Sequence, residues 1–496
     1  MRNLKTLCII VLLAVLVFAG CSNPAAEDEA VSYDASQKGT VTLNLGGGTP
    51  SRIAWPPLEY GGLAGAPSRS DLEFEVRFSG ALINGTPVTG SPGQYTFTVP
   101  FGTHDIEIRA FVTPGTPTNP SIYRSHYTTG RIPGINVPGQ GSTPVTVTML
   151  QAGATAANPF LIFNERELRK VGRGAANPLG FEHWTLDRHY RLMANITLTG
   201  PDWDPIPGNF TGTFNGGGFN INGLTINNTT LNESGMFAEN SGTIENLNLP
   251  GVNITQNMIG NHGGVSGFNN AGTVRNITVS GNISRFFGTG TFGGVIGLNG
   301  GIVENSSFTG TISCTNVIGD AVGGIVGINF GLVQNSFSSG DVSGGFQVGG
   351  VIGFCMGTVQ NSFSLSNVYG TIEVGGVVGW TSGIVQNNVS LNQKITRTSG
   401  VNGFFGRVAS ITPPMVSNNH AYAGMVFFDG VIPQPDFPIP VVSDPNGRDG
   451  ADVSPGTGAG QFNNQDFWET TLGWDFTNVW QMQGSPPLPA LRPPPP

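Results

Sequence analysis

The sequence predicts an all-β fold, a right-handed parallel β-helix (solenoid) preceded by a small β-sandwich domain. Three observations carry that prediction. Two short glycine signatures recur in phase through the middle of the chain. Short alternating strands fill the stretch before them. The composition supplies turns and apolar residues together, with 75 glycines and 35 prolines among 496 residues, yet 38% hydrophobic residues and 31 Phe. A disordered glycine-rich chain lacks that apolar content.

The first signature, Gly-Gly-[Val/Ile]-x-Gly, begins at Gly263, Gly293, Gly323, Gly349 and Gly375, in steps of 30, 30, 26 and 26 residues. Degenerate copies flank it at Gly235-Met236-Phe237 and at Gly403-Phe404-Phe405-Gly406. The second, Gly-x-[Val/Ile]-x-Asn, begins at Gly242, Gly272, Gly301, Gly331, Gly357 and Gly383. A unit this short, with brief apolar runs such as Val351-Ile352 broken by glycine, buries its inward side chains only by stacking on its neighbours. Parallel strands pairing one coil away, about 4.8 Å along the axis, satisfy that requirement. Seven to nine coils then make a rod roughly 35 to 45 Å long. Gly264, Gly294, Gly324, Gly350 and Gly376 are expected at corners where positive φ or tight packing excludes a Cβ. Asn276, Asn305, Asn335, Asn361 and Asn387 are expected to stack at one corner and to bond each other's backbone. Their role is structural rather than ligand-binding.

The chain divides in order. Residues 1–20 have a basic start (Arg2, Lys5), an apolar run from Leu7 to Phe18, then Ala19 and Gly20, the order of a secretory signal peptide. Residues 21–37 read as a polar tether. Residues 38–150 alternate apolar and polar, as in Leu72-Glu-Phe74-Glu-Val76-Arg-Phe78 and Tyr95-Thr-Phe97-Thr-Val99, and fit a β-sandwich. The solenoid occupies residues 155–425. Residues 426–460 are Pro/Gly-rich and read as a loop, and 461–496 as an aromatic cap and tail closing the open end.

Two resemblances add to this. Val17-Phe18-Ala19-Gly20-Cys21 resembles a bacterial lipobox, with Phe18 where Leu is usual, which implies palmitate-type acylation of Cys21 and a membrane anchor. The alternative is an ordinary signal peptide with Cys21 incidental. The paired signatures, with the lead-in Phe210-Thr-Gly212-Thr-Phe214-Asn-Gly216, resemble the GLUG motif repeats of bacterial surface proteins. That resemblance implies a β-solenoid in an exported, adhesin-like protein and carries over no catalytic residue. Val99-Pro-Phe101-Gly-Thr-His-Asp-Ile106 is similar to a turn of transthyretin-like modules, a likeness of fold only.

Chemistry is sparse. Charged residues make up 11% of the chain and the net charge is −9, which argues against nucleic acid. Between Asn246 and Gln393 the charges are Arg275, Arg285, Glu304, Asp320, Asp341 and Glu373, scattered rather than stacked on one face. Asp202 and Asp204 form the one tight acidic pair near the solenoid, and the flanking prolines favour a turn over a glycosidase pair. No metal-ligand spacing, nucleophile elbow or phosphate loop occurs, so no catalytic, cofactor or metal residue is expected. Cys314 and Cys355 sit at different places in their repeats, which favours buried thiols over a disulfide. The expectation is a non-enzymatic, membrane-anchored binding, adhesin-like or structural protein of the cell envelope, at the outer membrane or cell surface. Its partners would be a host protein, a glycan or another envelope component. The alternative is a polysaccharide lyase or hydrolase on a β-helix.

Overall fold

The computed structural model describes residues 38–44, 72–82, 88–89 and 94–112, then 125–493 with short breaks. The expected signal peptide, Cys21 and the tether lie outside the described residues, as do the last three prolines.

Alternation in the first part builds two sheets. One orders Gln94–Pro100, Lys38–Asn44 and Ser142–Val145; the other is built on Leu72–Phe78, Gly102–Val112 and Ser125–Val137. Val41, Leu43, Phe97 and Val99 from the first meet Phe74, Val76, Ile106 and Ile108 from the second in one core. This core meets the solenoid through histidines. Leu161 N donates to His126 Nδ1 at 3.3 Å, and His183 packs edge-on to Tyr127 with 6.2 Å between ring centres.

The second part is a parallel β-solenoid of about nine turns. Each coil runs through three faces. A glycine face stacks strands such as Gly260–Gly263, Gly290–Gly293, Ala321–Gly323 and Gln347–Gly349. A short face stacks Ser266–Asn269, Ile296–Asn299, Val326–Asn329, Ile352–Cys355 and Val378–Thr381. A long face follows, with Thr243–Thr255, Thr273–Arg285 and Ile302–Cys314 paired in register. The two signatures mark the bends: Gly-Gly joins the glycine and short faces, and Gly-x-Val-x-Asn leads across the long face to its corner.

Gly264, Gly294, Gly324 and Gly350 do not adopt positive φ. They are required because a Cβ there would lie 2.6, 2.2, 2.1 and 2.2 Å from the carbonyl oxygen of the next coil's second glycine. At Gly376 the obstruction is Arg407 O, at 2.1 Å. Close approach, rather than an unusual dihedral, selects glycine there. The corner asparagines behave the other way. Asn246, Asn276, Asn305, Asn335, Asn361, Asn387 and Asn418 all have φ between 49 and 56°. Asn tolerates this left-handed region better than other side chains.

Aromatics fill the first coils. Phe160 stacks on Trp184, Phe181 meets Trp184 edge-on, and Phe210 reaches Phe237, each pair about 5.0 Å between ring centres. Val and Ile fill later coils. At the far end the stretch expected as a plain loop supplies strands Val426–Asp429 and Ala451–Val453, both on the long sheet. Arg407, buried beneath them, donates to Asp449 O at 3.1 Å and Gly450 O at 3.0 Å and pairs with Asp452 at 2.6 Å. The aromatic C-terminal segment does not sit over the open end. Trp468, Trp474 and Trp480 pack along the flank, on Phe363 and its neighbours Phe337 and Val389. Those three residues form an outward apolar column on successive coils, and this column is where the indoles find area to bury.

Burial pushes the His183 imidazole down to about 4, with Arg188 acting in the same direction. The unfolded chain therefore binds this proton from about pH 6.5 downward while the folded chain refuses it until about pH 4. The stabilising contribution of neutral His183 is complete above pH 6.5 and falls by about 3 kcal/mol as the pH drops to 4. In urea titrations at several pH values, His183→Gln should flatten the acid-side loss of stability by about that amount. An unchanged slope in the variant would refute the assignment.

Candidate binding faces of the solenoid

In-register stacking repeats each outward residue as a column, so the surface is best described column by column. The corner asparagines bond side chain to side chain, not to each other's backbone as expected. Asn276 Nδ2 donates to Asn246 Oδ1 at 2.9 Å, Asn305 to Asn276 at 3.2 Å, and Asn418 to Asn387 at 3.0 Å. At one coil's spacing a carboxamide places its NH2 on the oxygen of the amide below, so this pairing satisfies both groups. Beside them runs a second column, Glu245, Arg275, Glu304, Gln334, Gln360 and Gln386. Each member is bonded to a neighbour in the column. Arg275 pairs with Glu245 at 2.6 Å, Gln334 donates to Glu304 at 2.8 Å, and Gln386 to Gln360 at 2.7 Å.

Sequence reasoning missed a further ladder that is wholly buried. Asn240, Asn269, Asn299 and Asn329 have no solvent exposure and donate in series, at 2.8, 2.7 and 2.8 Å. Asn240 and Asn299 also accept from the N–H of Gly242 and Gly301. The signal was the repeated Asn two or three residues before the glycine of the second signature. Cys355 and Thr381 take the same place in later coils. A third polar series replaces apolar residues just past the corner. Leu247 and Ile277 give way to Ser306, Ser336, Ser362, Asn388 and Asn419, each taking the backbone N–H of the coil before through a side-chain oxygen from Ser336 onward. Where these side chains replace ladder carbonyls, the 13-residue strands of earlier coils break into shorter ones.

The short face presents something different. Phe268, Leu298, Ile328, Phe354 and Trp380 are paired in register and point outward, each half-buried. Phe354 and Trp380 are nearly coplanar, at 8° and 4.9 Å. Phe330 and Met356, in the bends that follow, are half exposed. No charged residue stands in this column from Phe268 to Trp380.

The scattered charges are engaged one by one. Arg285 and Asp320, far apart in sequence, form a fully buried ion pair, with Phe292 under the guanidinium at 4.9 Å. Asp341 accepts from Asn367 at 2.9 Å and Glu373 from Gln347 at 2.8 Å. Asp204 pairs with Arg173 at 2.7 Å and Asp202 accepts from Asn227 at 3.1 Å, so the acidic pair is divided between two partners. Cys314 and Cys355 are free, buried thiols, and burial raises Cys355 to about 11. Among the described residues, no group of three or more His, Cys, Asp or Glu is placed to hold a metal ion. Among the same residues no helix is long and apolar enough to cross a membrane.

Comparison of the sequence with protein families and with curated proteins returns no match. Among solved structures the chain is similar to an IgA1 protease, at 15% identity and a TM-score of 0.38. The alignment covers 72% of this chain and 29% of that one, so the chain spans under a third of the protein it matches.

The two asparagine ladders carry different loads. Asn269→Ala removes the acceptor of Asn240 Nδ2 and a donor to Asn299 Oδ1 inside the core and should cost about 2 to 3 kcal/mol. Asn276→Ala loses two half-buried bonds, with Asn246 and Asn305, and forces alanine into the left-handed region, for about 1 to 2 kcal/mol. Asn276→Gly should recover the backbone part of that loss. Urea midpoints in the order Asn276→Gly, Asn276→Ala, Asn269→Ala, from most to least stable, are the expected outcome; any other order contradicts this account.

Proposed function

We propose that the chain is an exported, non-enzymatic binding protein of the bacterial cell envelope, adhesin-like and tethered to the membrane through lipidated Cys21. The observation that carries this reading is the outward ladder Phe268, Leu298, Ile328, Phe354 and Trp380 on the short face of the rod. Apolar residues repeated along a solvent face mark a contact surface, and many weak contacts in a row sum to useful affinity. The carboxylates of the solenoid support a non-catalytic role, because Glu245, Glu304, Asp320, Asp341 and Glu373 are each bonded to a neighbouring side chain. The lipobox-like Val17–Cys21 supports anchoring, and the partner in this reading is a host protein, a glycan or another envelope component.

Protease shaving of intact expressing cells should remove the solenoid without lysis, and Cys21→Ser should move the protein from membrane to soluble fractions. Full protection in intact cells, with digestion after lysis, would place the rod in the periplasm and end the adhesin reading. On host-matrix and glycan arrays, Phe354→Ser/Trp380→Ser should lose the binding shown by the parent chain.

A further inference from the structure

A cleft of about 620 Å³ lies between the asparagine corner and the C-terminal hairpin formed by Trp480–Gln483 and Leu488–Leu491. That size falls within the range of about 300 to 1,000 Å³ typical of small-ligand sites. Its origin is a change of chemistry along one outward column. On successive coils that column reads Asn248, Thr278, Ser307, then Phe337, Phe363 and Val389. The indoles of the C-terminal segment seat on the apolar half. Over the polar half the hairpin has nothing apolar to bury against, and the space stays open.

The walls have a consistent chemistry. The solenoid side offers the amides of Asn248, Asn276 and Asn305 and the hydroxyl of Thr278, and the hairpin offers Gln481 and Gln483, two residues apart on one strand face. Among the described residues, no carboxylate lines the cleft. Glu245, in the adjoining column, is held by Arg275 at 2.6 Å and by Asn215 at 2.7 Å. No aromatic ring lines it either. Among the described residues no donor meets the buried Asn305 Oδ1, where the corner ladder is interrupted. Two guanidinium groups complete the lining. Arg492 is fixed by donating to Trp480 O and Phe476 O, both at 2.8 Å. Arg191 is exposed and, unlike Arg173 and Arg275, has no ion-pair partner among the described residues.

We infer that this cleft binds a short oligosaccharide carrying a carboxylate. Closely spaced amides and a hydroxyl match a ligand dense in hydroxyl groups. The planar fork of Arg191 suits a carboxylate, and Arg492 adds a fixed positive charge with no opposing acid in the lining. A uronic or sialic acid unit within a glycan has both features. The site lies apart from the Phe268–Trp380 ladder and its assignment does not rest on export or anchoring.

The test uses residues 21–496 with Cys21→Ser, in solution, by isothermal calorimetry with trigalacturonate and with sialyllactose. Their neutral counterparts, the methyl-esterified trimer and lactose, serve as references. At least one acidic sugar should bind, its neutral counterpart at least tenfold more weakly. Arg191→Gln should weaken the acidic sugar about tenfold, or about 1.4 kcal/mol, and leave the neutral one unchanged. Gln481→Glu/Gln483→Glu should abolish binding of the acid by repulsion. Trp380→Ser, on the other face, should change nothing. Binding of neither acid, equal affinity for acid and neutral forms, or indifference to Arg191→Gln would overturn the inference. Loss of binding in Trp380→Ser alone would move the sugar to the ladder and overturn it equally. Failure of the shaving experiment would leave this result unaffected.

Discussion

Backbone meets backbone at the second glycine of each Gly-Gly pair, and the rest of the rod depends on that contact. A Cβ at Gly294 would lie 2.2 Å from the carbonyl oxygen of Gly324, and the same relation repeats up the stack. Once that approach is fixed, each coil has one admissible register against the next. Every other position is then set against its own counterpart. A β-branched residue sits on a β-branched residue, an amide on an amide, and a ring on a ring, as at Phe354 and Trp380. Residues that cannot tolerate their own neighbour one coil away are excluded, which explains why charge is so scarce here.

The interior answers the same rule with polar groups. A rod built from short strands has bends, and bends leave N–H groups and carbonyls unpaired. The buried Asn240 to Asn329 series and the later serines supply those partners from within. Such a core is cohesive when complete and costly when one member is missing. The Arg285–Asp320 pair is the extreme case, since two buried charges are stable only while each has the other.

How much of this was legible in the sequence follows from which interactions are periodic. The solenoid, its coil boundaries and the corner asparagines were legible because each repeats every 26 to 30 residues. The glycines were located correctly, but which of the two expected reasons applies was not legible, since spacing cannot tell a close approach from a dihedral. The inner asparagines were missed because Cys355 and Thr381 break the letter pattern while keeping the place. The Phe268–Trp380 ladder was invisible for a related reason: Phe, Leu, Ile and Trp share a direction, not an identity, and direction emerges only after register is known. The cleft was the least legible of all. It joins Arg191 to Gln481 across most of the chain, and nothing local connects them.

The C-terminal segment lying along the flank changes how the rod bears force. A bare solenoid pulled at its last coil opens one coil at a time, because each is held only by its neighbour. Here Trp480 rests by Phe337, while Phe467 meets His420 three coils further on. Tension on the last coil is therefore shared across the whole group before any one coil can peel away. The segment acts as a splint, and the end of the rod yields as a block or not at all.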